Sequence, residues 1–402
     1  MKGKLMKNLL LVVSGSIAAY KAADLSHMFV KAGVNVNVLM TANAANFINP
    51  ITFESLTHNK CIIDTFDRNF EFKIGHISLA QSSDAVLVAP ASANIIGKIA
   101  NGIADDMATT TIMACKCPVY IAPAMNTNMF QNPIMQDNLK KLERFGYHII
   151  QPASGLLACG DVGAGKLPPI EDLYETLMLE LSHDHDMVGK KVLITAGPTE
   201  EALDPVRFIT NHSTGKMGYA LARAAARRGA DVTLVSGPVS LKAPLGVNTV
   251  KITSAADMAR EVIGRADSTD IFVLAAAVAD YRPVNVASEK IKKKAGQDNE
   301  EFSIPLTRTQ DILDWLGHHR HGDEVICGFA METENLLDNA RSKLDRKNAD
   351  MICANSLRAE GAGFGTDTNR ITIITKDSEK ELDIMSKDDV SDAIYDAILN
   401  LR

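Results

Sequence analysis

The stretch from Lys190 to Gly218, KKVLITAGPTEEALDPVRFITNHSTGKMG, constrains the fold more than any other, because there the chain begins a second time. Near the N-terminus, Lys7-Asn8 leads into the apolar run Leu9 to Val13, a Ser14-Gly15-Ser16 turn, a helical pattern stopped by Gly33, and the alternating Val34 to Val38. From Lys190 the same order returns: Val192 to Ile194, Ala196-Gly197-Pro198, a helical pattern, Arg228-Gly229, then Asp231 to Val235. Ser82 to Asn94 is answered by Ser268 to Asp280, and Cys117 to Asn126 by Glu324 to Thr333. Short runs rich in β-branched residues, alternating with helical patterns and punctuated by glycine, predict βαβ units on parallel sheets. The expected fold class is α/β, with two tandem doubly wound parallel-sheet domains of flavodoxin or Rossmann type. A closing helix is predicted over Glu171 to Leu181, which sets the expected boundaries: a first domain over 1–182, a polar linker over 183–189 and a second domain over 190–402.

Length agrees with this division, since 402 residues exceed one ordinary domain. With 46% hydrophobic and 23% charged residues, each half can bury its own core. The net charge of -7 argues against bulk binding of nucleic acid or an anionic membrane, and anionic small ligands would need local basic clusters. No run approaches the roughly 20 apolar residues of a membrane span. Lys2, Lys4 and Lys7 precede an apolar run, but it breaks at Ser14-Gly15-Ser16 and is too short for a secretory signal. The cysteines at 61, 115, 117, 159, 327 and 353 form no CxxC, which suits a reducing cytoplasm without disulfides. His183-Asp184-His185-Asp186 invites a metal reading, but four consecutive polar residues with no further ligand cluster read as linker.

In the first half, the strand, glycine turn and helix around Gly15 place free backbone N–H groups where a phosphate can sit. The predicted C-terminal ends of the next strands carry Thr41 with Asn43, then Pro90 to Asn94, then Pro123 to Asn126. Hydroxyl and amide groups of this kind can bond a flat heteroaromatic ring without adding charge, although singly each is an ordinary loop residue. The motifs GSIAAYK (Gly15 to Lys21), ASAN (Ala91 to Asn94), NGIADD (Asn101 to Asp106), PAMNTNMF (Pro123 to Phe130) and PASGLLACG (Pro152 to Gly160) occur in this order. Together they resemble the flavin-containing cysteine decarboxylases, and within them the phosphopantothenoylcysteine decarboxylases. The resemblance implies FMN near Gly15, Ser16, Thr41, Ser92 and Asn94, with His76, Asn126 and Cys159 as catalytic residues. Decarboxylating an ordinary amino-acid carboxylate leaves an unstabilised carbanion, so an electron sink is needed; FMN can supply one by oxidising the terminal CH2-SH to a thioaldehyde. His76 is assigned to the first proton transfer, Asn126 to holding the carboxylate, and Cys159 to donating the final proton. Gly160 to Lys166 satisfies GxxxxGK, but Leu167 stands where a P-loop has Ser or Thr, and Pro168-Pro169 prevents an immediate helix, so a lid is expected instead.

In the second half, Asp204 to Ser213 forms a long polar connection before a helix beginning near Lys216. Two basic clusters border predicted strand ends: Lys290, Lys292, Lys293 and Lys294, and Arg341, Lys343, Arg346 and Lys347. Several point charges can neutralise a triphosphate, so a cationic pocket is expected there. ITAGPTEE, DPVRFITNHSTGKMG, AAAVADYRP, KIKKK, GFAMETE and RKNADMICAN resemble the bacterial, CTP-using phosphopantothenate-cysteine ligases, with Glu200 where relatives often carry Arg and Thr214 in place of Ser. The resemblance implies activation of a carboxylate by CTP and Mg2+ to an acyl-cytidylate, followed by attack of the cysteine amine. Carried over by position, Lys290 stabilises charge on the phosphates, and Arg207 and Asn211 bind or orient phosphopantothenate and its acyl-cytidylate. Ala275, Ala276, Asp280, Thr309, Gln310, Asp311, Ile312, Phe329, Lys343 and Lys347 then line the substrate and nucleotide site. The metal ligands are left open, with Mg2+ held largely by the phosphates.

The ligase's product is the decarboxylase's substrate, so the two halves imply successive steps from 4'-phosphopantothenate, cysteine and CTP to 4'-phosphopantetheine in coenzyme A biosynthesis. The resemblance further implies a homo-oligomer of decarboxylase trimers joined through ligase dimers, as large as a dodecamer. A non-catalytic regulatory subunit is the rival from another class; such a protein would lack the histidine or the cysteine, and here both are present. A nicotinamide-dependent reductase is the second rival, but neither glycine turn carries GxGxxG with an acid about 20 residues on.

Overall fold

A computed structural model of the chain describes residues 7–65, 75–182, 185–292, 303–332, 336–356 and 365–401. It forms two compact units, Met1–His183 and Asp184–Arg402. Among the described residues no helix is long and apolar enough to cross a membrane.

The first unit opens with β1 (Asn8–Val13), α1 (Ala19–Lys31), β2 (Asn35–Met40), α2 (Pro50–Thr57) and α3 (Gly75–Ser82). It continues with β3 (Ala85–Ala91), α4 (Ala93–Ala100), α5 (Met107–Ala114), β4 (Val119–Pro123), α6 (Thr127–Gln131), α7 (Pro133–Arg144) and β5 (His148–Ile149). A hairpin, β6 (Ala153–Leu156) and β7 (Val162–Lys166), precedes the closing helix α8 (Ile170–Leu181). The sheet order is β2-β1-β3-β4-β5 and every pairing in it is parallel. Alternation along β1 feeds two cores. Leu9, Leu11 and Val13 join Leu25 and Phe29 of α1 and Leu173 and Leu177 of α8. Leu10 and Val12 join Ile95 and Ile96 of α4, Ile112 of α5 and Leu139 of α7. A strand apolar at consecutive positions is thus buried on both faces, each such side chain contributing about 1.5–3 kcal/mol.

The second unit contains β8 (Lys191–Ala196), β9 (Glu200–Ala202), β10 (Phe208–Thr210), α9 (Lys216–Arg227), β11 (Asp231–Ser236), β12 (Val247–Lys251) and α10 (Ala255–Ile263). After them come β13 (Ile271–Leu274), β14 (Tyr281–Pro283), β15 (Leu306–Arg308), α11 (Ile312–His318), β16 (Val325–Glu332), α12 (Leu336–Arg346) and β17 (Met351–Ser356). The C-terminal part is β18 (Thr368–Asn369), β19 (Ile371–Thr375), β20 (Glu379–Glu381), β21 (Met385–Ser386) and α13 (Lys387–Leu399). The main sheet runs β12-β11-β8-β13-β16-β17-β19-β20. Its first six strands are parallel, in the order 3-2-1-4-5-6 of a Rossmann sheet. Strands β19 and β20 extend this parallel sheet by an antiparallel edge. Alternation divides this sheet too: Val192 and Ile194 face Leu221 of α9 and Ile394 of α13, whereas Leu193 faces Met258 of α10 and Leu316 of α11.

Two local expectations change. The polar connection after β8 is itself folded, since β9 and β10 pair antiparallel before α9 starts at Lys216. Residues 183 and 184 of the stretch read as linker lie outside the described residues, and the rest is anchored in the second unit: Asp186 grips Arg228 through Oδ1 to Nε at 2.9 Å and Oδ2 to Nη2 at 2.5 Å, and Met187 is fully buried. Arg228 is 3% exposed and needs the Asp186 carboxylate, with that of Asp396 at 2.8 Å, which is why a polar run became structure.

Candidate active sites

The first site forms at the carboxyl edge of the first sheet. Buried Ser14, at the end of β1, donates through Oγ to the Pro90 carbonyl at 2.7 Å and accepts from the Ser92 N–H at 2.8 Å, so it ties the β1 turn to the end of β3. Gly15 follows where a Cβ would stand 2.7 Å from Asn43 Cβ, so any larger residue would push the two turns apart. Beside them opens a cavity of about 530 Å³ lined by Gly15, Ser16, Ser92, Asn126 and Cys159, with Ile17, Met129, Leu157 and Leu167 as apolar wall and Lys21 and Lys166 as cations. A turn opened by glycine, hydroxyls at strand ends, an apolar wall and few charges fit a flat flavin with a phosphate.

Asn126 precedes α6, and its Oδ1 accepts from the Asn128 N–H at 2.8 Å. That bond turns Nδ2 towards the tip of the β6–β7 hairpin, where it donates to Asp161 Oδ2 at 2.7 Å and to Cys159 Sγ at 3.3 Å. The Cys159 thiol donates to the same Asp161 oxygen at 3.4 Å. The stretch expected as a lid is this hairpin, with Cys159 lining the cavity, and Lys166 ends a strand rather than a phosphate-binding loop. Thr41 does not line the cavity; its Oγ1 accepts from the Ala44 N–H at 3.3 Å, while Asn94 is exposed on the first turn of α4. His76 is half-buried on α3 and is also absent from this chain's cavity. Ser14 and Asp161 were missed by sequence reasoning; a charged residue beside the flap cysteine was the available signal for Asp161.

The second site lies at the carboxyl edge of the second sheet, a cavity of about 590 Å³. Ala276, Asp280, Thr309, Gln310, Asp311, Ile312, Phe329, Lys343 and Lys347 line it, joined by Thr195, Tyr281, Arg308 and Asp314. Lys343 and Lys347 are four apart near the end of α12 and share one face. Arg341 turns away to Glu379, Nη2 to Oε2 at 2.6 Å. Lys343 Nζ donates to the Phe329 carbonyl at 2.8 Å. Lys347 pairs with Asp311 at 2.8 Å and Asp314 at 3.1 Å. Burial would lower the Lys347 ammonium, but these two carboxylates outweigh it and hold it above the ordinary lysine range. Burial likewise raises Asp311, yet the Lys347 bond and the Asp314 N–H bring it below the usual carboxylate range. Arg308, Lys343 and Lys347 are therefore matched by Asp280, Asp311 and Asp314, and the pocket is charge-balanced rather than cationic as expected.

Ala275, Arg207, Asn211 and Lys290 do not line this cavity. Asp204, 3% exposed, accepts from the Val206 and Arg207 N–H groups, both at 2.8 Å, and from the Ile291 N–H at 3.0 Å. Arg207 Nη1 donates to the Ile291 carbonyl at 3.0 Å. This clamp fixes exposed Lys290 beside Arg207. Asn211 Nδ2 donates to the Ala277 carbonyl at 3.0 Å, and Ala275 packs on the core. Lys293 and Lys294 lie outside the described residues.

Residues 2–182 match the family described as Flavoprotein, and residues 187–401 match the DNA/pantothenate metabolism flavoprotein C-terminal domain. The chain is 48% identical over 399 residues to the coenzyme A biosynthesis bifunctional protein CoaBC of Bacillus subtilis (strain 168), covering 98% of this chain and 97% of that one. The chain belongs to the bifunctional coenzyme A biosynthesis proteins. A second member of that family, from Vibrio cholerae, is 46% identical over 393 residues, covering 98% of each chain. As a bifunctional coenzyme A biosynthesis protein, the chain has decarboxylase and ligase activity, and its flavoprotein domain takes a flavin. Among solved structures, the C-terminal domain of a CoaBC protein is 43% identical over 54% of this chain and 96% of that one, TM-score 0.45. The FMN-dependent cysteine decarboxylase SpaF is 30% identical over 44% of this chain and 98% of that one, TM-score 0.39.

Proposed function

We propose that residues 190–402 join cysteine to 4'-phosphopantothenate with CTP, and that residues 1–182 decarboxylate the product to 4'-phosphopantetheine with FMN as the flavin. The observation that carries this reading is one cavity bringing Asn126 and Cys159 to the glycine turn and the strand-end hydroxyls. FMN, when bound, supplies the electron sink that an ordinary amino-acid carboxylate lacks. The remaining work falls to the chain. Asn126 presents amide donors that can hold a carboxylate without quenching its charge, and the Cys159 thiol beside it can donate a proton. His76 lies outside this chain's cavity, so its proton transfer requires a neighbouring copy, which accords with decarboxylase trimers joined through ligase dimers.

In the ligase half, Lys343 and Lys347 meet the CTP phosphates, Mg2+ arrives with those phosphates, and Asp311 and Asp314 yield Lys347 to them. Lys290 stabilises charge during acyl-cytidylate formation, while Arg207 and Asn211 orient the intermediate. The cytoplasm is the compartment that these reactants and the free cysteines suit. Purified protein should be yellow, release pyrophosphate from CTP in the presence of phosphopantothenate and cysteine, and then release CO2. A colourless protein that ignores CTP would overturn both assignments.

A further inference from the structure

An asparagine side chain has two N–H donors and one carbonyl acceptor. At Asn126 all three are engaged: Oδ1 with the Asn128 N–H at 2.8 Å, Nδ2 with Asp161 Oδ2 at 2.7 Å and with Cys159 Sγ at 3.3 Å. No donor is left over for a ligand. On the reading above, which this inference rests on, Asn126 holds the carboxylate that departs as CO2. A carboxylate of the chain itself therefore stands where the substrate's must go. Two carboxylates cannot share those donors, because Cys159 already takes one of the two N–H groups and like charges at the other repel.

We propose that Asp161 is an internal stand-in for the substrate carboxylate. It draws the hairpin tip onto Asn126 in the absence of substrate, is displaced by the incoming carboxylate, and returns to Asn126 when that group has left. Substrate and product differ by this one carboxylate, so only the substrate can compete with Asp161. The device favours release of the decarboxylated product and closes the site behind it. Asp161 is a positioning residue, acting through Asn126 and Cys159, and it lies at an exposed tip where isosteric change leaves the α/β core untouched.

The test compares two unreactive ligands differing only in the carboxylate: the S-methyl thioethers of phosphopantothenoylcysteine and of phosphopantetheine. Each is titrated calorimetrically into the full-length flavin-loaded protein and into Asp161→Asn. Replacing a charge-assisted bond by a neutral one should tighten the carboxylate ligand about fivefold. The decarboxylated ligand should stay within about twofold. Asp161→Glu, which keeps the charge, should fall on the wild-type side. Equal changes for both ligands, or none for the carboxylate ligand, would overturn the stand-in role. Failure of wild-type protein to bind either ligand would instead overturn the substrate assignment. Flavin retention and an unchanged melting temperature certify that each variant is folded.

Discussion

At the scale of single residues, function depends on which polar atoms are already engaged. The Cys159 thiol donates to Asp161 and accepts from Asn126, so it is held in a defined direction at the cavity mouth. Cys159→Ser should keep its flavin and still release CO2 from supplied phosphopantothenoylcysteine, yet stall before the saturated product; mass spectrometry of the quenched reaction reads this, and normal turnover would remove Cys159 from the mechanism. Asp204 does a different task. Burial alone would raise its carboxyl, but the N–H groups of Ile291, Val206 and Arg207 outweigh that, with the Arg207 guanidinium adding to them, and hold it below the usual range. A depressed folded pKa contributes stability that is present above the unfolded value, about 4, and is lost as pH falls through the folded one. The pH-dependent part of the stability gap between wild type and Asp204→Asn should therefore be full above about pH 4 and close below it. Acid titration of the melting temperature of both proteins checks the sign.

At the scale of elements, the β6–β7 hairpin is seated against α6 by the absence of side chains. Met125 N–H donates to the Gly165 carbonyl at 2.9 Å, and a Cβ on Gly165 would lie 2.5 Å from the Met125 carbonyl oxygen. Gly165 also has φ +116°, a left-handed conformation that side chains resist. Gly165→Ala should cost about 1–3 kcal/mol locally by lifting β7 away from α6. Decarboxylation should fall more than about tenfold through the misplaced Cys159, at the scale set by an ångström-sized displacement of a reacting group. Pyrophosphate release should be unchanged, and equal loss of both activities would refute a hairpin-specific effect. The clustered basic residues of α12 show the same logic: helical spacing sends Lys343 and Lys347 into the cavity and Arg341 out to β20.

At the scale of the whole molecule, two sheets each carry their own pair of cores and their own pocket at the carboxyl edge. The halves should therefore be separable by mutation. Lys290→Gln should abolish pyrophosphate release while CO2 release from supplied phosphopantothenoylcysteine stays within about twofold, since sites that share no partner act independently; parallel loss of both would show that the halves depend on each other. The amino-acid pattern alone determined the tandem α/β plan, because runs such as Leu9 to Val13 and Val192 to Ile194 can be satisfied only by burial on both faces of a parallel strand. It also determined that the strand ends would carry polar groups, including Ser92 and Asn126, beside the glycine turn at Gly15. What it could not determine was pairing between residues far apart in the chain. The antiparallel edge of β19 and β20, the bond between Asn126 and Asp161, the clamp of Asp204 on Ile291, the capture of Asp186 by Arg228, and the neutralisation of Lys347 by Asp311 and Asp314 all arise from tertiary approach. Periodicity reports which face a residue occupies; only the folded chain decides which opposite charge or open lone pair waits there.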